Sequence, residues 1–227
     1  MQIRSLRLLG LSLSFLSLSA CGSTGGGASG LVSVDELLGW VERVYIDAEL
    51  SRQEVKTSLS GLQTIATKDF EGDPIAAFKG FSDSIVGSQE QAKNLRKSFD
   101  RMQRSAAPVF ERWTDDLAKY NNQEIRRRSQ ERLDVARAKY DAVARAVGPL
   151  LSTYDRYNQG LTDYQLFLSN DFTTTSVDLM RKEADNLVAL ANEIDNRLDS
   201  TLKVTKAYIE TTELPTSNQK AAKPPAK

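Results

Sequence analysis

"LDVARAKYDAVARAVGPLLSTYDRYNQGLTDYQLFL", residues 133–168, decides the fold. Leu133, Ala136, Tyr140, Val143, Val147, Leu150, Tyr154, Tyr157, Leu161, Tyr164 and Leu168 recur at alternating steps of three and four. That spacing gathers side chains on one side of a helix, whereas a strand requires alternation by two. Sustained this long, a 3.5-residue period specifies helices that pack along an apolar seam and supercoil left-handedly.

The same rhythm extends in both directions. Toward the C-terminus, "SNDFTTTS" (169–176) reads as a break, after which Val177, Met180, Ala184, Leu187, Ala191, Ile194 and Leu198 resume the spacing. It fades near Tyr208, and residues 213–227, rich in Pro, Lys and Ala, read as a disordered tail. Toward the N-terminus, Asn121 with Glu124 reads as a turn and a new cap. Before it stand Phe78, Phe81, Ile85, Ala92, Leu95, Phe99, Met102, Ala106, Val109 and Trp113, and "KDFEGDP" (68–74) places Pro74 in a first helical turn. Earlier still, Leu37, Val41, Val44, Ala48, Val55, Leu62 and Ile65 keep the pattern, interrupted by Ser51 and Ser58. Ser33-Val34-Asp35-Glu36 reads as the capping box that opens this helix. The expected fold is all-α: an elongated antiparallel bundle of about four long coiled-coil-like helices over residues 33–212. Pro108 and Pro149 lie inside it, but the apolar phase carries across both, which predicts kinks rather than helix ends.

Composition narrows the chemistry. The 227 residues hold 30 Lys+Arg and 30 Asp+Glu, no histidine and a single cysteine. Balanced charge argues against a nucleic-acid binder. The missing histidine removes His-based acid–base catalysis, Ser-His-Asp triads and Glu-x-x-His di-metal sites. The expectation is a chain that is not an enzyme, with no metal and no cofactor. Arg126-Arg127-Arg128 resembles a polyanion patch, yet consecutive helical residues fan around the axis, and Glu124 and Glu131 stand within pairing distance in sequence. Lys93, Lys97, Arg101 and Arg104 are better aligned and form the candidate surface for an anionic partner, although Asp100 interrupts them. Tyr140, Tyr154, Tyr157 and Tyr164 all sit on the seam and read as core. Asp116 is the one acid in seam phase, near a helix end.

Residues 1–20 have the layout of an export signal. Arg4 and Arg7 form a basic start, followed by an apolar stretch too short to span a bilayer. Leu18-Ser19-Ala20-Cys21 then resembles the lipobox of bacterial lipoproteins. That resemblance implies cleavage between Ala20 and Cys21, a diacylglyceryl group on the Cys21 thiol and acylation of the new amine. Several acyl chains hold a protein on a membrane, since each buried methylene contributes about 0.8 kcal/mol. Gly22 stands where the family places aspartate in proteins kept at the inner membrane, so the resemblance implies the outer membrane with the body facing the periplasm. Residues 21–32 read as the lipidated cysteine and a flexible Gly/Ser-rich linker, "GSTGGGASG" being too small and polar to bury anything.

"ERWTDDLAKYNNQEIRRRSQERLDVARAKYDAV" (111–143) and "DYQLFLSNDFTTTSVDLM" (163–180) together resemble the bacterial domain-of-unknown-function 2959 family. Trp113, Tyr120, Ser129, Tyr140, Asp163, Leu166 and Leu168 stand where that family places like residues. The chain departs from it at "SNDFT" (169–173), where the family usually has Lys-His-Asn-Leu-Asn. The resemblance implies a helical, envelope-associated protein and brings no reaction. The expected role is a lipid-anchored periplasmic scaffold or interaction protein, joined to the membrane through Cys21 and to a protein partner in the envelope. The alternative is a bundle that opens to carry an apolar ligand such as a lipid.

Overall fold

The computed structural model describes residues 26–67 and 70–212, and these form four helices: α1 (Gly26–Ile65), α2 (Pro74–Leu117), α3 (Gln123–Asn170) and α4 (Thr174–Thr212). They contain 40, 44, 48 and 39 residues. At about 1.5 Å per residue, each is roughly 60–70 Å long. The fold is a helical bundle, and no strand occurs among the described residues.

Neighbouring helices run in opposite directions, as contacts along their lengths show. On α1 and α2, Arg112 reaches Ser33 at one end and Gln91 donates to the Asp47 carbonyl midway. On α2 and α3, Trp113 bonds Ser129 near the turn and Gln89 bonds Thr162 far from it. Thr153 of α3 meets Glu193 of α4, and Arg52 of α1 pairs with Asp195 and Asp199 of α4, which closes the ring. The described N-terminus and the α2–α3 turn therefore share one end. The α1–α2 and α3–α4 connections share the other, called here the distal end.

The seam of α1 is buried along its length. Leu37, Val41, Val44, Ala48, Val55, Leu62 and Ile65 are all core, and Ser51 and Ser58 stay buried in phase between them. Their hydroxyls return to the α1 backbone, Ser51 Oγ donating to the Asp47 carbonyl at 2.7 Å and Ser58 Oγ to the Glu54 carbonyl at 2.9 Å. A serine can thus hold a core position without leaving an orphaned donor. On α4 the seam runs beyond Leu198 through Thr201, Thr205 and Tyr208, all buried. Gly61 lets α1 lie close against α2: a Cβ there would lie 3.4 Å from the Phe81 backbone.

Caps set most boundaries. Asp73 accepts from the Ile75 and Ala76 amides at 2.9 and 3.3 Å, with Pro74 in the first turn as expected. The cap of α3 is Asn122 rather than Asn121, because Asn122 Oδ1 is the atom that accepts from the Glu124 and Ile125 amides. The third break is shorter than "SNDFTTTS" suggests: α3 continues to Asn170 and α4 starts at Thr174, where the Thr173 hydroxyl accepts from the Ser176 amide at 3.3 Å.

The start of α1 also differs from expectation. Helix begins at Gly26, not at the Ser33 box, so residues 26–32 of the expected linker are helical. The physical reason lies on α2, whose C-terminal turns extend past Ser33. Arg112 bonds the Ser33 hydroxyl at 3.5 Å and its side chain lies against Gly30, so α1 has a partner there. Adding a residue to an existing helix is far easier than nucleating one, which lets poor helix formers join its end. Neither proline ends a helix: α2 runs on through Pro108 and α3 through Pro149. Both are exposed, as are Arg104 and Arg145, whose carbonyls lose their usual donors and can turn to water.

Candidate interaction surfaces

The expected signal sequence, with its expected cleavage between Ala20 and Cys21 and expected anchor at Cys21, lies outside the described residues, as do residues 213–227. Lys93, Lys97, Arg101 and Arg104 are all exposed on α2, as one row. Arg101 is partly committed, its guanidinium lying 5.9 Å from the centre of the Trp40 ring. Lys93 borders a shallow cleft in which Arg96 grips Asp155 at 2.7–2.8 Å.

Two of the three arginines at the start of α3, Arg127 and Arg128, are ion-paired. Arg127 bonds Glu124 at 2.8 Å and also pairs with Glu131, while Arg128 Nε meets Glu124 at 2.8 Å. Arg127 and then Arg128 hold the Glu124 carboxyl below its usual range, and Glu124 holds the Arg127 guanidinium up. Asp116 is half-buried and pairs with Lys119 at 2.7 Å. Among the described residues no group of three or more His, Cys, Asp or Glu could hold a metal ion.

The seam tyrosines divide into two kinds. Tyr154 and Tyr157 are fully buried; Tyr140 and Tyr164 are half-buried at its flanks. Tyr157 Oη shares a hydrogen bond with Ser58 Oγ at 2.9 Å and donates to the Val55 carbonyl at 3.3 Å, linking α3 to α1. Burial raises its phenol to about 12, and the Ser58 contact offsets this in part. Burial drives the Tyr154 phenol further up, against the opposing effect of the Ser88 and Ser51 hydroxyls that it faces. Ser88 Oγ in turn donates to Asn158 Oδ1 at 2.7 Å. A polar layer of serines, tyrosines and one asparagine therefore crosses the middle of the bundle.

The distal end is the feature that the 3.5-residue reading missed. Ile75, Leu166, Phe167, Phe172 and Leu179 are large apolar residues left exposed there, with Ile75 at 79%, Leu166 at 62% and Leu179 at 60%. Phe78 and Phe172 touch across the two connections, their ring centres 5.7 Å apart. A cleft of about 300 Å³ opens among Phe70, Pro74, Phe172, Val177 and Arg181. A second groove, of about 450 Å³, lies between α3 and α4 and is lined by Asp163, Tyr164, Phe167, Leu179, Met180 and Asn186. Leu166, Phe167 and Leu179 are out of seam phase, and that was the available signal.

Trp113 and Ser129, two of the residues on which the family resemblance rests, meet directly: Trp113 Nε1 donates to Ser129 Oγ at 2.9 Å across the α2–α3 turn. No curated protein and no solved structure matches the chain. A family model described as "protein of unknown function" covers residues 29–212 and so spans all four helices. The chain belongs to the domain-of-unknown-function 2959 family.

Proposed function

We propose that this protein is a lipid-anchored scaffold of the bacterial cell envelope, held in the outer membrane by acyl chains on Cys21 and presenting its helices to the periplasm as an antiparallel, coiled-coil-like rod. The observation that carries this reading is the order Leu18-Ser19-Ala20-Cys21 immediately ahead of a long helical body. Four residues separate Cys21 from Gly26, where α1 begins. Such a tether spans at most about 17 Å, so the α2–α3 turn stands near the bilayer, and the distal end lies roughly 60 Å from that turn along the rod. The role is mechanical and associative rather than catalytic, with a protein partner in the envelope.

A filled core favours a scaffold over a lipid carrier. Leu150, Tyr154, Tyr157 and Leu161 are fully buried, and the void among Leu62, Tyr164, Met180 and Ala184 has no room for a water molecule. The anchor is tested by Cys21→Ser: membrane fractionation should move the protein to the soluble periplasmic fraction, and intact mass should lose the acyl groups. Unchanged mass and unchanged membrane attachment would refute lipidation. A carrier would instead copurify with lipid.

A further inference from the structure

The start of α1 sets a sequence signal against the structure. Ser33-Val34-Asp35-Glu36 is a complete capping box, yet the helix runs seven residues further, to Gly26. Those residues, "GGASGLV", include three glycines, the poorest helix formers after proline, and the first turn holds no acid. Gly25, ahead of them, has no side chain with which to cap the helix. The side-chain oxygens that the box needs are both held by α2. Arg112 donates to the Ser33 hydroxyl at 3.5 Å, and Ser105 donates to Glu36 Oε1 at 3.4 Å. Both distances are at the long limit for hydrogen bonds, so α2 holds the box weakly. Arg112 also lies against Gly30, where a Cβ would stand 3.6 Å from its guanidinium. Val32, just outside the box, is 66% exposed. In a boxed helix that position packs against the fourth helical residue, here Leu37.

We propose that α1 is a switch with two alternative starts, a long form that begins at Gly26 and a short form capped at Ser33. In the short form Ser33 Oγ leaves Arg112 and accepts from the Glu36 amide. The Glu36 carboxylate leaves Ser105 and accepts from the Ser33 amide. Asp35 then lies in the first turn, where the helix dipole favours an acid, and Val32 closes on Leu37. The long form gains seven weakly helical residues and two long contacts; the short form gains two reciprocal caps and an apolar contact. Arg112 is the latch of the long form. When it releases, residues 26–32 pass from helix to tether, and the reach from Cys21 to Ser33 rises from about 27 Å to about 40 Å. The rod can then stand farther from the bilayer without leaving it. That reach rests on the anchor reading of Cys21, whereas the two starts depend on α1 and α2 alone.

Hydrogen exchange of the full chain, resolved to single amides by mass spectrometry, tests the switch. A helix from Gly26 protects amides from Gly30 onward, and a helix capped at Ser33 protects them from Glu36 onward. Amides of residues 30–35 should therefore exchange at least tenfold faster than those of residues 37–44, yet slower than unstructured peptide. Arg112→Ala should speed residues 30–35 at least tenfold further and leave residues 37–44 unchanged. Adding Ser33→Ala to it removes the cap and should carry fast exchange past Leu37. Gly30→Ala favours the long form and should slow residues 30–35 about fivefold. Protection of residues 30–35 equal to that of residues 37–44, or equal to none, would show a single start and overturn the proposal. So would an Arg112→Ala pattern like that of the native chain or one spreading evenly past Leu37, a double variant that still stops at the box, or no slowing by Gly30→Ala. The same pattern in a Cys21→Ser chain that stays membrane-bound would leave the two starts standing and the anchor refuted.

Discussion

The middle of the bundle and its distal end draw on the same side-chain types and treat them in opposite ways. In the middle, Ser51, Ser58 and Ser88 are fully buried polar residues beside Tyr154 and Tyr157; the serine hydroxyls find backbone carbonyls, the Asn158 amide oxygen or the Tyr157 phenol, while the Tyr154 hydroxyl is buried with no hydrogen-bond partner among the described residues. At the distal end Leu166, Phe172 and Leu179 are apolar and exposed. The contrast shows that burial here follows the number of helices surrounding a position more than the polarity of the side chain. Four helices enclose the centre on all sides. At the end the helices give way to short connections, and among the described residues no further element covers them.

The comparison can be broken most sharply at the centre. Tyr154→Ala should destabilise the fold by roughly 3–5 kcal/mol, the usual range for deleting a large buried aromatic ring. Urea denaturation would measure it, and a loss below about 1 kcal/mol would mean that the centre is not closely packed. Alkali attacks the core by another route. Tyr157 and Tyr208 both have folded values of about 12, against an ordinary value of 10.0, with burial as the leading cause. Their folded pKa is raised, so the protonated phenol is the form that the fold prefers. Stability should be undiminished below pH 10 and fall as pH rises toward 12. Tyrosinate absorbance followed with circular dichroism should show these rings ionising together with loss of helix; ionisation of every tyrosine near pH 10 with the helices intact would contradict their burial.

Smaller effects sharpen the contrast. Ser88→Ala removes the donor to Asn158 Oδ1 and should cost about 1–3 kcal/mol, the penalty for a buried acceptor left unpaired. Adding Asn158→Leu should recover most of that loss, because an apolar pair no longer needs the bond. If the double variant stays as weak as the single one, the layer is held by packing rather than by hydrogen bonding. Smallest of all, Leu179→Asn at the distal end should change stability by no more than about 0.5 kcal/mol, as exposed substitutions usually do. A loss like that of Tyr154→Ala would show Leu179 to be core.

Much of this was legible beforehand, for reasons that particular residues make plain. The seam from Leu133 to Leu168 is a one-dimensional pattern, and a period of 3.5 has only one structural meaning over such a length. Phase also identified the fate of the prolines, since Val147 and Leu150 stay on the seam on both sides of Pro149. The position of the α1 start was not legible, because it depends on Arg112, some eighty residues away in the chain. The cap of α3 fell one residue from its expected place because neighbouring asparagines are equivalent in sequence and only backbone geometry selects between them. Among site residues, the α2 basic row was correctly read as exposed. The distal groove was missed because Phe167 and Leu179 come together only across two helices.

By itself, then, the sequence determined the helical class, the buried stripe of each helix and the absence of histidine chemistry, since each of these is a property of local spacing or composition. The tertiary structure decided which off-seam residues are enclosed. Asn158 and Gln91 stand one position off the seam and are nonetheless buried, while Leu166 and Leu179, likewise off it, are exposed. Burial at such flanking positions depends on whether a neighbouring helix passes there, and that depends on where helices far apart in the chain begin and end.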